Sequence, residues 1–557
     1  MIAVFVSSYE SAKSFFNSKN KLKFDCVVTD KISVKDYFED NDIDCFLLSN
    51  LIDEKKYINL FKKEYLNFNK LLIKMDQSTY AKTIKAKNIS FYNTFRHLGN
   101  RDFAGLKILE FTFNKYLKKN KISKLIFFGN IKGIIFGKKF YFNLLKKNLN
   151  QKIIYRNIDV ELPIKISFSK LFYKMLLNLF SKRYYLQLSY FLKKKITEFY
   201  PIKSNIKNIL IFEPLFDLFY SPYKVSNTLF HKELKFNNSE NFVIKKKENE
   251  YLKSYLINLL NQNTAYLSKS VNKIKEIIKK YKIKRILIGC DPNPILSNIL
   301  NNLSNSKIEV IGCQHGGGYI TQNYDREHID SDYNFCDYFL SYGYSKQVEN
   351  KIKKKIVDLG SFKSKFFNQL DLDKHNKVSE SDILFIPNEI TPIISPTTEI
   401  IQNKRYELQK KICKNLNEIE SKVTVKALNN LDYFPIIKFI QKNYNYFNIE
   451  YCTIGQAIKK VKPKLIILDY LGSTLFEPLY SQTNVILFLD KYNMPKKDFL
   501  NQLNKNVIII NDIKKLKKIL KSYKSFKIPN YKKIIDVYYN LGTDRKNKNR
   551  ISKIFNG

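Results

Sequence analysis

Along the chain, short runs that are apolar at nearly every position alternate with longer, lysine-rich stretches in which apolar residues recur at helical spacing. The runs include MIAVFV at the start, DCFLLSN (44–50), KLIFFGN (124–130), NILIFEP (208–214), RILIGCD (285–291) and IEVIGCQ (308–314). Farther on come DYFLSYG (337–343), DILFIPN (382–388), VTVKAL (423–428), PKLIILDY (463–470), NVILFLD (484–490) and NVIIIND (506–512). A strand that is apolar on both faces must be covered on both, and intervening helices supply that cover. The pattern therefore predicts α/β architecture with more than one parallel sheet. Small polar and charged residues replace it over 359–382, which predicts a domain break there, followed by five strand–helix steps. Residues 514–527, KKLKKILKSYKSFK, predict a basic amphipathic helix with a solvated face. No internal repeat is visible.

Length changes the picture first. At 557 residues the chain exceeds one ordinary core, and 44% hydrophobic content is ample for several. A formal charge of +46 invites a nucleic-acid partner, yet the excess is nearly all lysine and is spread evenly among Asn, Ile, Phe and Tyr. Arginine, the residue suited to bidentate base and phosphate contacts, is scarce, so no nucleic acid is expected. Seven cysteines without a CxxC pair read as buried thiols in a reducing cytoplasm. The N-terminus lacks a basic leader region and reads as a first strand, and no apolar stretch reaches the length of a bilayer span. The segment 171–195, LFYKMLLNLFSKRYYLQLSYFLKKK, is interrupted by Lys174, Lys182 and Arg183. It fits either an interfacial helix at the inner face of the cytoplasmic membrane or a helix pair packed on a neighbouring domain.

Two stretches carry candidate chemistry. In IEVIGCQHGGGY a strand ends in Gln314 and His315, and Gly316, Gly317 and Gly318 follow. Glycines there let backbone amides approach an anion or a sugar ring, and an imidazole can take a proton from a hydroxyl near neutral pH. Esterases place a similar string at an oxyanion hole, but the GxSxG elbow that should accompany it is absent. Close behind, Asp325, Glu327 and Asp330 add carboxylates that can hold the His315 tautomer or bind acceptor hydroxyls; a solvated loop is the bland alternative.

In LDYLGSTLFEPL (468–479), Asp469 ends a strand, Gly472 allows a sharp turn, and Ser473 and Thr474 fall where a helix would begin. Their hydroxyls can cap that helix, and the freed amides can hold a phosphate. Glu477, one turn on, can accept hydrogen bonds from sugar or ribose hydroxyls, or simply complete a capping arrangement.

The succession of the QHGG turn, DYFLSYG, VDLGSFK, ILFIPN, LDYLGSTLFEPL and VILFLDKYN resembles the GT-B glycosyltransferases of bacterial surface polysaccharide synthesis. Most similar in motif are CDP-glycerol glycerophosphotransferase-like enzymes and transferases of O-antigen and capsule gene clusters. The resemblance covers about residues 284–495. It implies a GT-B-like fold of two facing Rossmann-like domains, with 206–375 on the acceptor side and 376–545 binding the nucleotide-linked donor. Residues 1–205 form a further α/β region with the amphipathic helical segment. It also implies His315 as general base; Glu327 and Asp330, close behind it in sequence, are candidates for the same catalytic group. The ligand-binding set comprises Gln314, Gly316, Gly317, Gly318, Lys426, Asp469, Ser473, Thr474 and Glu477, Lys426 standing where these enzymes often carry a basic residue. Two departures bear on the donor. Gln314 stands where the glycerophosphotransferases usually have Trp, and their Asp-Tyr-Ser-Ser pattern is stretched here to Asp-Tyr-Leu-Gly-Ser-Thr. A sugar nucleotide is thus at least as good a candidate as CDP-glycerol.

The acids and histidines fall at no metal-ligand spacing, so neither a metal nor a cofactor is expected. The expected activity is transfer of a sugar or glycerol-phosphate unit to a hydroxyl of a glycan or lipid-linked acceptor. A sugar-nucleotide epimerase or hydrolase on the same scaffold, and a non-enzymatic scaffold of a polysaccharide assembly complex, are the alternatives.

Overall fold

The structure, a computed structural model, describes residues 1–18, 23–78, 89–129, 154–158, 209–212, 224–225, 248–280, 282–288, 294–303, 307–314, 333, 336–341, 356–358, 381–390, 402–419, 421–428, 430–489, 494–495, 497–527 and 529–538. These residues build three sheets, and every strand pairing among them is parallel. The first holds β1 (Ile2–Val6), β2 (Cys26–Thr29), β3 (Cys45–Leu47), β4 (Lys124–Phe128) and β5 (Ile154–Ile158) in the order β3-β2-β1-β4-β5. The second holds β6 (Ile209–Phe212), β7 (Lys224–Val225), β8 (Arg285–Ile288), β9 (Glu309–Cys313), β10 (Tyr338–Ser341) and β11 (Ile356–Asp358) in the order β11-β10-β9-β8-β6-β7. The third holds β12 (Ile383–Ile386), β13 (Val423–Lys426), β14 (Asn448–Glu450), β15 (Leu465–Leu468), β16 (Asn484–Phe488) and β17 (Ile508–Ile510) in the order β14-β13-β12-β15-β16-β17. The α/β class and the parallel sheets read from the sequence are present. The third sheet has six strands where five were expected, because Asn448–Glu450 is an edge strand too short and polar to signal itself.

Both faces of the first sheet are covered, as its apolar runs require. Val4, Val6 and Phe128 pack with Phe15 of α1 (Tyr9–Ser18) and with Val34 and Phe38 of α2 (Ile32–Glu39). On the opposite face Phe5 and Phe127 meet Phe113, with ring centroids 5.1 Å and 5.8 Å from it. Phe113 lies on a long helix that follows α3 (Glu54–Asp76), namely α4 (Phe91–Asn120). Asp76 at the end of α3 accepts hydrogen bonds from the main chain of Phe91 and Tyr92 and from the Ser90 hydroxyl, so one carboxylate fixes the start of α4.

Two seams join the units. After α5 (Glu248–Lys280) comes α6 (Pro294–Leu303), whose buried Asn298 accepts from Ser90 N–H at 2.9 Å and donates to Thr94 at 3.0 Å. The second seam sets the first sheet against the third. Its partners lie on α7 (Gln402–Asn417), on the loop after β13 and on α8 (Ile436–Asn443). Asp432 in that loop accepts from Tyr9 N–H at 3.1 Å, Lys31 Nζ at 3.2 Å and Ser33 Oγ at 2.8 Å. Tyr9, Lys31 and Ser33 follow the carboxyl ends of β1 and β2, while Gln402 and Asp432 follow those of β12 and β13. The carboxyl edges of the two sheets therefore face each other. The sequence left the first region without a role; the structure puts it across a seam from the third sheet.

Candidate functional site

In the third sheet the strand order reverses between β12 and β15. At such a point successive helices leave to opposite faces, and the loops beyond the carboxyl ends part to leave a crevice. Asn388 leaves β12 and Asp469 leaves β15, and Asn388 N–H donates to Asp469 Oδ1 at 2.7 Å. Gln409 of α7 ties both together, donating Nε2 to Asp469 Oδ2 at 2.7 Å and to the Asn388 carbonyl at 2.8 Å. Burial pushes the Asp469 carboxyl above its ordinary range, against the pull of nearby Arg405 and of these hydrogen bonds. Asp469 thus ties the chain leaving β12 to α7.

Arg405 was not legible in the sequence. It lies one turn before Gln409 on α7, is 2% exposed, and holds its Cζ 4.7 Å above the Tyr470 ring. Its Nε, Nη1 and Nη2 have no hydrogen-bond partner. A guanidinium carries five directed donors, and here they sit buried at the crevice with the charge of Asp469 nearby. In the sequence NKRYELQKK looks like any solvated helix. Packing alone turns the Arg405 and Gln409 face inward.

Lys426 ends β13 and is nearly buried. Burial pushes its ammonium pKa down, while the charges of Cys452 and Glu477 act against that shift. Lys426 and Glu477, far apart in sequence, are therefore close enough to interact. The turn between differs in detail from the expectation. Ser473–Leu475 form a 3-10 turn, and α10 (Phe476–Tyr480) starts only afterwards, its preceding helices being α9 (Ile454–Val461) and α8. The N-cap position of α10 is Leu475, without a side-chain bond, and not the Ser-Thr pair. Gly472 has no left-handed conformation; a Cβ there would stand 3.3 Å from the Tyr470 ring, so its role is to let that ring lie close. Thr474 and Glu477 are half-buried.

In the second sheet, Gln314 follows β9, is buried, and donates its main-chain N–H to Leu340 at 2.9 Å. His315, Gly316, Gly317, Gly318, Glu327 and Asp330 lie outside the described residues, as do the 171–195 segment and the 359–380 stretch. The six described cysteines are free thiols. Among the described residues no helix is long and apolar enough to cross a membrane.

A profile of the LIC12162 family of transferases matches residues 146–521, more than half of the chain, spanning the second and third sheets. The chain belongs to that transferase family. Other likenesses are more distant. Protein Ycf2 of Physcomitrium patens is 24% identical over 533 residues, covering 90% of this chain and 20% of that protein, so the chain spans one fifth of this relative's length. Among solved structures, the UDP-GlcNAc 2-epimerase of Methanocaldococcus jannaschii superposes with a TM-score of 0.39 at 14% identity, over 63% of this chain and 99% of the other. A glycosyltransferase of Rickettsia africae gives a TM-score of 0.39 at 14% identity, with 63% and 99% coverage. The assignment to the transferase family rests on none of these three.

Proposed function

We propose that this member of the LIC12162 transferases moves a sugar or glycerol-phosphate unit from a nucleotide-activated donor to a hydroxyl of a glycan or lipid-linked acceptor. The donor's phosphates would lie at the carboxyl edge of the third sheet in a GT-B-like cleft. The observation that carries this reading is Arg405, whose buried guanidinium has directed donors and no hydrogen-bond partner at the crevice. An oxyanion of a diphosphate is the chemical complement of such a group, because its oxygens accept in the plane of the fork. Lys426 adds a second cation, and the Gly472–Thr474 turn adds main-chain amides and hydroxyls. Glu477 would accept from donor hydroxyls.

In the reaction the acceptor oxygen attacks the donor's carbon or phosphorus while His315 takes the acceptor's proton. The bond to the nucleotide phosphate breaks, and its electrons leave with the phosphate, whose negative charge Arg405 and Lys426 stabilise. Glu327 or Asp330 would hold the imidazole tautomer or bind acceptor hydroxyls. An epimerase or hydrolase would release nucleotide without any acceptor, and a scaffold would be indifferent to His315→Ala.

Titration calorimetry with UDP, CDP, CMP and GDP tests the donor site. One nucleotide is expected to bind. Arg405→Met and the Ser473→Ala/Thr474→Ala double variant should each weaken it about ten-fold or more, or roughly 1.4 kcal/mol. Folded protein that binds none of the four defeats the proposal.

A further inference from the structure

The first sheet reverses its order between β1 and β4, so it has its own crevice at the carboxyl edge. Three polar side chains are sealed there without hydrogen-bond partners. They are Ser7 just beyond β1 (4% exposed), Asp30 just beyond β2 (0%) and Ser49 just beyond β3 (0%). Parallel pairing sets Phe5 beside Val28 and Val6 beside Phe128, which brings Ser7 into line with Asp30 on one side and Gly129 on the other. Gly129 has φ +93°, and a Cβ on it would stand 2.7 Å from Ser7 Oγ and 2.3 Å from Ser11 Oγ. The row is therefore continuous, and it contains a position from which a side chain is excluded.

Buried polar groups nearly always have partners, and three orphans at the ends of three adjacent strands mark a place built to receive some. The charge pattern says what kind. Asp30 can only accept when ionised, and the nearest cation, Lys31, is engaged by Asp432. An oxyanion would be repelled, whereas hydroxyl groups would donate to the carboxylate and exchange hydrogen bonds with Ser7 and Ser49. We propose that Ser7, Asp30 and Ser49 form a subsite for the hydroxyls of a sugar, reached when the seam between the first and third sheets opens. It rests on the transferase reading only in naming that sugar as the acceptor. The seam has the character of a separable interface. Besides Asp432, it is made by Gln402 Nε2 on the Asp30 carbonyl (2.5 Å), Lys404 on Glu54 (2.7 Å), Lys438 and Lys442 on Asp40 (2.7 and 2.6 Å) and Tyr406 on Asp36.

Saturation-transfer NMR on the full chain, with methyl glycosides of glucose, galactose and N-acetylglucosamine as probes, tests this. At least one glycoside is expected to receive saturation. Asp30→Asn and Ser7→Ala/Ser49→Ala should each reduce it about five-fold or more, since each removes hydrogen bonds made only to the ligand. Circular dichroism establishes that both variants fold, and nucleotide affinity on the same samples should stay within about two-fold. The inference is overturned if no glycoside responds with the wild type, or if both folded variants respond like it. Nucleotide binding without glycoside binding leaves the donor reading and removes this one. Glycoside binding without nucleotide binding does the reverse.

Discussion

Asp30 shows how burial of one residue makes stability depend on pH. Burial raises its carboxyl pKa from 3.8 to about 6, against the opposing pull of Lys31. Because the folded pKa is the higher one, the folded chain holds a proton that the unfolded chain has released between about pH 4 and pH 6. Stability then falls as pH rises through that window, by about 3 kcal/mol for this group alone. Asp30→Asn removes the effect, so the variant should be close to wild type at pH 4 and about 3 kcal/mol more stable at pH 8. Urea unfolding at both pH values measures this; equal stability at pH 8 would mean that Asp30 has an acquired partner in solution. Gly129→Ala should act oppositely. It forces a Cβ onto Ser11 and Ser7 at φ +93°, and a loss of about 1–3 kcal/mol in the same assay is expected.

At the scale of the element, α9 carries the chain from β14 to β15, whose end presents Asp469. It is short, and its order depends on its ends. Thr453 and Gln456 form a reciprocal capping box, with Thr453 N–H donating to Gln456 Oε1 at 3.1 Å. Ala457, Ile458 and Val461 form its buried face. Thr453→Ala should cost about 1 kcal/mol. At the other end Lys462 is left-handed, with φ 48°, where glycine is easier. Lys462→Gly should therefore gain about 0.5–1 kcal/mol. Thermal or urea unfolding of the two variants separates these signs. This capping box was not singled out from the sequence, because the helix is hidden among lysines and its sheet partner is not local.

For the whole molecule, the seam between the first and third sheets turns on Asp432, which binds the beginnings of α1 and α2 at once. Asp432→Ala leaves Lys31 without its ion partner and removes the hydrogen-bond acceptor of Tyr9 N–H and Ser33 Oγ. A loss of about 1–3 kcal/mol is expected. Hydrogen exchange should quicken at residues 9 and 31–33 while β1 and β4 stay protected, since those strands are held within their own sheet. Unchanged exchange there would show that other contacts carry the seam. High salt should have the same direction of effect on the exposed pairs, such as Lys442 with Asp40.

By itself the sequence determined the fold class. Strands such as ILFI and LIIL are apolar on both faces and can be stable only inside a helix-covered parallel sheet. It also drew attention to Asp469 and Glu477, because strand ends and the turns after them are local features, whereas Lys426 entered only through the family resemblance. Tertiary structure decided the rest. Strand order is set by long-range pairing, so the crevices at β12/β15 and β1/β4 exist only after folding. Arg405 and Asp30 read as ordinary polar residues in a solvated helix and a loop. They became candidates only once packing removed their water and left their polar groups without partners, a property of surroundings that no local pattern encodes.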